Sequence, residues 1–226
     1  MTLIQRPSPN FDDRTLPVSI LVLHYTGMQA GEAALARLAD REAKVSAHYV
    51  VEEDGRLIAM VDEGKRAWHA GVSHWRGITD INAASIGIEI VNGGHDFGLP
   101  DYPDTQIDAV IALSRAIIAR HGIPPWNIVG HSDIAPGRKI DPGEKFPWQK
   151  LARAGVGLWP DEAGPVSPDE ARAAGLLAAI GYNRDAPLSV LLAEFQRRYR
   201  PARFDGVLDA QTMGLVEALA GEVPPA

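Results

Sequence analysis

The stretch SIGIEIV, residues 85 to 91, decides how the larger part of this chain is built. Ile86, Ile88 and Ile90 alternate with Ser85, Gly87, Glu89 and Val91, and side chains two apart share one face of a β-strand. The isoleucines must face a core. The opposite face then carries a carboxylate in mid-strand with a glycine beside it, which leaves room above the sheet for another group. On this stretch alone Glu89 has two readings. It belongs to a solvated strand face, or it is a partly desolvated carboxylate with a raised pKa, suited to proton transfer.

Upstream, Val18 to Leu23 is a short, nearly unbroken apolar run that predicts a strand buried on both faces. His24 ends it, either as a ligand at the sheet's rim or as a core histidine satisfied by one backbone hydrogen bond. Gly31 to Lys44 reads as a helix with Ala34, Leu35, Leu38 and Ala39 on one face. Ser46 to Val61 reads as a hairpin turned at Asp54-Gly55, with His48 a structural or supporting residue in its first strand. Arg66 to Trp75 reads as a loop. There Trp68 and Trp75, beside His69 and His74, suit either a cleft wall that stacks on a sugar or peptide, or a loop pinned by a buried tryptophan.

Downstream, Ile107, Val110, Ile111, Ile117 and Ile118 fall at helical spacing over Asp104 to His121. Asp104 or Thr105 is placed to cap this helix, and Gly122 to stop it. A short strand follows from Trp126 to Val129. Alternating strands and helices over residues 1 to 155 predict an α/β fold with a mixed central β-sheet flanked by helices. Residues 156 to 166, rich in Gly and Pro, read as a linker. Residues 167 to 226 predict a small three-helix bundle able to fold alone. Its first helix opens at the capping box Ser167-Pro168-Asp169-Glu170. Its second, from Leu188 to Arg200, turns Leu191, Leu192, Phe195 and Tyr199 inward, and a third runs from Ala210 to Ala220.

The chain is 46% hydrophobic and 23% charged, as in ordinary globular proteins, and its net charge of −7 argues against nucleic acid as a partner. It has no cysteine, so a metal here must use histidine and carboxylate rather than thiolate. No run approaches a membrane span. No apolar leader is visible, which predicts a cytoplasmic protein, or a periplasmic or envelope-associated one if an N-terminal segment is missing. No protein partner is implied.

The chemistry gathers in NIVGHSDIAPGRKIDPG, residues 127 to 143, where Pro-Gly turns hold His131, Lys139 and Asp141 on one loop. By itself this is a surface turn or part of a metal site. With His24 it offers two imidazoles and one carboxylate, the ligand count of a catalytic zinc site with one position left for water. Glu89 is the candidate general acid/base and Lys139 the candidate oxyanion stabiliser, a set suited to hydrolysis of an amide by zinc-activated water.

The segments LVLHYTG, SAHYVV, RAWHAG, SIGIEIVN and GHSDIAPGRKIDPG, in this order, resemble the zinc-dependent N-acetylmuramoyl-L-alanine amidases of the peptidoglycan-recognition-protein superfamily. The resemblance implies Zn2+ on His24, His131 and Asp141, with Glu89 and Lys139 catalytic. Trp68, His69, Asn82 and Arg138 are candidate substrate contacts. It implies a peptidoglycan or muropeptide substrate, cut between the lactyl group of N-acetylmuramic acid and L-alanine. The alternative is a recognition protein that binds such molecules without hydrolysis. Some relatives have cysteine where this chain has Asp141, and others a catalytic tyrosine where it has Ala47, so proton transfer here rests on Glu89. FQRRYRPARFDGVLDAQT, residues 195 to 212, is similar to three-helix peptidoglycan-binding domains.

Overall fold

A computed structural model describes residues 3 to 160 and 163 to 224. Among them β1 (Leu3–Gln5), β3 (Ile20–Tyr25), β4 (Tyr49–Val51), β5 (Leu57–Ala59), β7 (Ser85–Ile90) and β8 (Ile128–Gly130) form one sheet in the order β1-β5-β4-β7-β3-β8. β2 (Phe11–Asp13) pairs with β6 (Lys65–Ala67) in a separate antiparallel ribbon. The helices are α1 (Gly31–Ala39), α2 (Ile81–Ala84), α3 (Asp104–His121), α4 (His131–Ile134), α5 (Trp148–Arg153), α6 (Glu170–Ile180), α7 (Leu188–Tyr199) and α8 (Ala210–Glu222). None is long and apolar enough to cross a membrane.

Sequence pattern and register together sort the two faces of the sheet. β7, β3 and β8 run parallel, with Val22 opposite both Gly87 and Val129 and His24 opposite Glu89. Leu21, Leu23, Ile86, Ile88, Ile90 and Ile128 pack against Ile107, Val110 and Ile117 of α3. The isoleucines of SIGIEIV do face a core. The other face has two covers. α1 lays Leu35 and Leu38 on Val50 and Ile58, while the C-terminal helices lay Leu191, Leu192 and Phe195 on Ile20, Val22 and Val129. His24 and Glu89 lie on this second face, at the ends of their strands.

Several boundaries differ from the sequence reading. The helix expected to Lys44 ends at Ala39, because Asp40 is extended and caps a 3-10 turn over Arg41–Ala43. Neither Asp104 nor Thr105 caps α3; the N-cap is Pro103, while Gly122 does end the helix in the left-handed region. α6 starts after Asp169, whose carboxylate accepts from Arg172 N–H, rather than at Ser167. Arg66 and Ala67, expected in a loop, belong to β6.

The segment expected as a linker is packed in part, although its residues 161 and 162 lie outside the described ones. Val156 is fully buried and Trp159 lies against Tyr199. The C-terminal helices share one apolar core with the sheet. Each large apolar side chain buried there contributes about 1.5–3 kcal/mol, so burial against the sheet adds to the bundle's own packing.

The motif residues of the tail are part of its internal frame. Phe195 is fully buried, and Gln196 binds Gly206 N–H, the Val207 carbonyl and the Thr212 hydroxyl at 2.9, 2.8 and 3.0 Å. Gly206 has φ +73°, and a Cβ there would lie 2.5 Å from the Ser189 carbonyl oxygen.

Candidate metal centre

Three neighbouring parallel strands deliver their chemistry to one edge of the sheet. His24 is the penultimate residue of β3, Glu89 the penultimate residue of β7, and His131 follows the last residue of β8. The carboxyl ends of parallel strands are where open α/β sheets meet ligands. Asp141 arrives on the loop beyond α4, whose path is tied to β8. Ser132 N–H donates to the Asp141 carbonyl at 2.9 Å, and a Cβ on Gly130 would meet Pro142 Cδ at 2.8 Å. Only glycine lets that loop lie so close.

The buried residues His24, His131 and Asp141 form a group able to hold a metal ion. Their facing atoms, His24 Nδ1, His131 Nδ1 and Asp141 Oδ2, make a triangle with edges of 3.0, 3.1 and 3.2 Å. A tetrahedral zinc with bonds of about 2.0 Å needs ligand edges of about 3.3 Å, so the triangle fits.

Neighbouring hydrogen bonds settle where the protons sit. The Ser85 hydroxyl has one proton, and it goes to the Ile81 carbonyl at 2.5 Å. Ser85 Oγ therefore accepts from His69 Nε2–H at 3.2 Å, which leaves His69 Nδ1 to accept from His24 Nε2–H at 3.0 Å. His131 Nε2–H donates to the Ala70 carbonyl at 3.0 Å. Both inward Nδ1 atoms are then lone pairs, and three acceptors converge. A cation satisfies that arrangement; hydrogen bonding among the three does not.

Electrostatics agree. Burial, reinforced by His131, lowers the His24 pKa to about 4, which keeps the ring neutral. Burial opposes ionisation of Asp141, but positive charge on the side of His131 and His24 outweighs it and holds the carboxyl well below its usual range, and that is the place a bound cation would take. Neutral imidazole and carboxylate are the ligand forms that zinc takes.

A cavity of about 230 Å³ is lined by Glu89, His131, Lys139 and Asp141, with Tyr25, Met28, Arg37 and Trp68 among its walls. Glu89 is half-buried there and its Oε2 has no hydrogen-bond partner among the described residues. Burial first, then the charge of Asp141, raises its pKa well above the carboxylate range, against an opposing pull from Lys139. The desolvated reading of this carboxylate is the one the structure supports, although it stands at the strand's end rather than in mid-strand.

The structure separates the other expected site residues. Trp68 walls the cavity and donates from Nε1 to Asp12, whereas Trp75 is buried in the core against Tyr182. The two readings of that aromatic loop thus divide between its two tryptophans. His69 reaches the cavity but is bonded to His24. Asn82 and Arg138 line a separate depression beside Asp80 and Ala135, where Asn82 Oδ1 and Arg138 Nη2 bond to loop backbone. His48 is structural: its Nδ1 accepts from Gly87 N–H at 2.9 Å.

Sequence reasoning missed a polar chain behind the cavity wall. The Tyr25 hydroxyl meets His95 Nδ1 at 3.0 Å, His95 Nε2 meets Glu144 at 3.0 Å, and Arg197 of α7 donates to Glu144 at 2.7 Å. No pattern in the sequence links these four residues. It also missed Ser85, although the alternation of SIGIEIV had placed Ser85 on the same face as Glu89.

Comparison with known proteins gives this geometry a family. The model of the family described as N-acetylmuramoyl-L-alanine amidase matches residues 14–144, more than half of the chain. The N-acetylmuramoyl-L-alanine amidase AmiD of Escherichia coli (strain K12) is 40% identical over 230 residues, covering 89% of this chain and 82% of AmiD. The 1,6-anhydro-N-acetylmuramyl-L-alanine amidase AmpD of Salmonella typhimurium (strain SL1344) is 37% identical, covering 67% of this chain and 89% of AmpD. Among solved structures, E. coli AmiD in complex with anhydro-N-acetylmuramic acid-L-Ala-D-gamma-Glu-L-Lys superposes with a TM-score of 0.82 at 38% identity, over 92% of this chain and 91% of that one. AmpDh3 of Pseudomonas aeruginosa in complex with anhydromuramic pentapeptide gives 0.82 at 36% identity, over 92% and 93%. Coverage of that extent takes in the C-terminal helices as well as the sheet. The chain belongs to the N-acetylmuramoyl-L-alanine amidase family.

Proposed function

We propose that this protein hydrolyses the amide between the lactyl carbonyl of N-acetylmuramic acid and the amino group of L-alanine, in anhydro-muropeptides or in peptidoglycan. The observation that carries this reading is the triangle of three converging acceptors beside a carboxylate that lacks a partner. His24, His131 and Asp141 would hold a zinc ion, which would supply a Lewis acid for the carbonyl and a nucleophilic water near neutral pH. Glu89 takes the proton from the attacking water and passes it to the departing nitrogen. A C–O bond forms, the C–N bond breaks, and the products are a lactyl carboxylate and a free amine. The Lys139 ammonium stabilises the negative charge that develops on the carbonyl oxygen. Trp68 offers a flat face to the sugar or peptide.

Non-catalytic recognition gives no role to a desolvated Glu89 among a complete ligand set. Whether the tail binds intact wall is a further proposal, resting on the resemblance of residues 195 to 212. Cytoplasmic recycling of fragments and action on the wall outside the inner membrane are separated by fractionating the source cells. The deciding experiment incubates zinc-loaded protein with an anhydro-muramyl tripeptide and follows products by mass spectrometry. Intact anhydro-sugar plus intact tripeptide supports the reading; unchanged substrate with one zinc per chain sinks it.

A further inference from the structure

We propose that His69 and Ala70 act as one positioning pair for both metal-binding imidazoles, and that Asn82 holds the pair in place. The inference rests on the zinc reading above and deepens it. His24 and His131 both bind through Nδ1, so each has an outward Nε2–H to place. His24 gives its proton to the His69 ring and His131 gives its proton to the Ala70 carbonyl, both at 3.0 Å. Two consecutive residues therefore orient both ligands. Asn82 Oδ1 accepts from the backbone N–H of the same two residues, at 3.0 Å from His69 and 2.8 Å from Ala70.

α2 anchors this arrangement from both sides. Its residue Asn82 fixes the backbone of the pair. Its residue Ile81 takes the Ser85 hydroxyl proton, which turns Ser85 into an acceptor and sets the direction of the His69 ring. Asp80 caps the helix by accepting from Ala83 N–H. Gly87 provides the seat: a Cβ there would lie 2.6 Å from His69 Cγ. Arg138 donates to the Ala70 carbonyl at 2.7 Å and keeps that oxygen aimed inward. Asn82 and Arg138, candidate substrate contacts, both bond to the pair.

The physical need is specific. A buried Nε2–H without an acceptor is destabilising, and a ring free to carry its proton on Nδ1 presents hydrogen rather than a lone pair to the metal. Removing such outer partners typically weakens metal binding about 10–100-fold.

The test measures zinc affinity of the full chain by competition with a chelating dye at neutral pH, with cobalt(II) absorption as a second readout. His69→Leu fills the space but removes the acceptor. His69→Asn keeps an acceptor atom, Oδ1, where Nδ1 was. We expect His69→Leu to bind zinc about 10–100-fold more weakly with an altered cobalt spectrum, and His69→Asn to recover most of the affinity. Ser85→Ala, which removes only the far acceptor, should weaken zinc by about ten-fold, the lower end of that range. Wild-type affinity in His69→Leu, or no recovery in His69→Asn, overturns the proposal. If His69→Leu does not fold, unchanged affinity in Ser85→Ala overturns it equally. Failure of the unmodified protein to bind zinc would instead refute the metal reading itself.

Discussion

Asp133 and Asp141 are both buried carboxylates in the segment after β8, and they have opposite fates. Asp133, fully buried, accepts from Gly130 N–H and the Tyr182 hydroxyl at 2.8 Å each and from Arg198 at 2.5 Å. Arg198 comes from α7, is itself buried, and lies 3.9 Å over the Trp148 ring. Asp141 faces the imidazoles of His24 and His131. A buried charge must be compensated. Asp133 finds its cation within the chain and becomes the bolt between sheet and C-terminal helices. Asp141 has the two imidazoles beside it and joins the group able to hold a metal ion. Burial alone does not distinguish a structural carboxylate from a ligand; the charge beside it does.

The largest expected effect breaks the metal side of this comparison. Asp141→Asn should lose both zinc and turnover while the metal-free protein keeps its melting temperature, since three converging acceptors contribute no cohesion without a cation. Metal analysis alongside calorimetry checks it, and turnover in the metal-free variant would end the zinc argument. Glu89→Gln comes next. It should keep one zinc per chain and lose about 10²–10⁴-fold in turnover, the usual worth of a general acid/base; lost zinc would mean Glu89 belongs to the ligand set.

The structural side breaks through Arg198→Met, which strands the Asp133 charge. We expect about 3–5 kcal/mol of lost stability in denaturant titration, with zinc stoichiometry unchanged in the folded fraction. Undiminished stability would show that Asp133 does not need its cation. The smallest effect sharpens the link between the two regions. Arg197→Ala removes the α7 end of the Tyr25-His95-Glu144 chain and should raise KM a few-fold with kcat nearly unchanged, the mark of a cavity wall that has lost its support. A fall in kcat at constant KM would contradict that role.

Much of this was legible before any coordinates. The alternation in SIGIEIV separates the isoleucines from Glu89, the apolar run before His24 places that histidine at a strand end, and Gly122 ends α3 as expected. These are local properties, set by the period of a strand or helix and by what glycine and proline permit. The glycine beside Glu89 was rightly read as making room, but its occupant, the His69 ring, comes from a loop with no regular period. The tail's FQ and DG residues were legible as a motif, and the structure gives them a framing role: Gln196 ties Gly206 to Thr212.

By itself, then, the sequence determined the α/β layout, the residue types available to a metal and the absence of thiolate ligands. Only the tertiary structure decided which nitrogen of each histidine carries its proton, which tryptophan walls the cavity, and which buried aspartate is already neutralised. The reason is range. Periodicity acts between residues a few positions apart, whereas His24 and His131 are 107 positions apart and Asp133 and Arg198 are 65 apart. Proton direction and charge pairing exist only once the fold has brought such partners together.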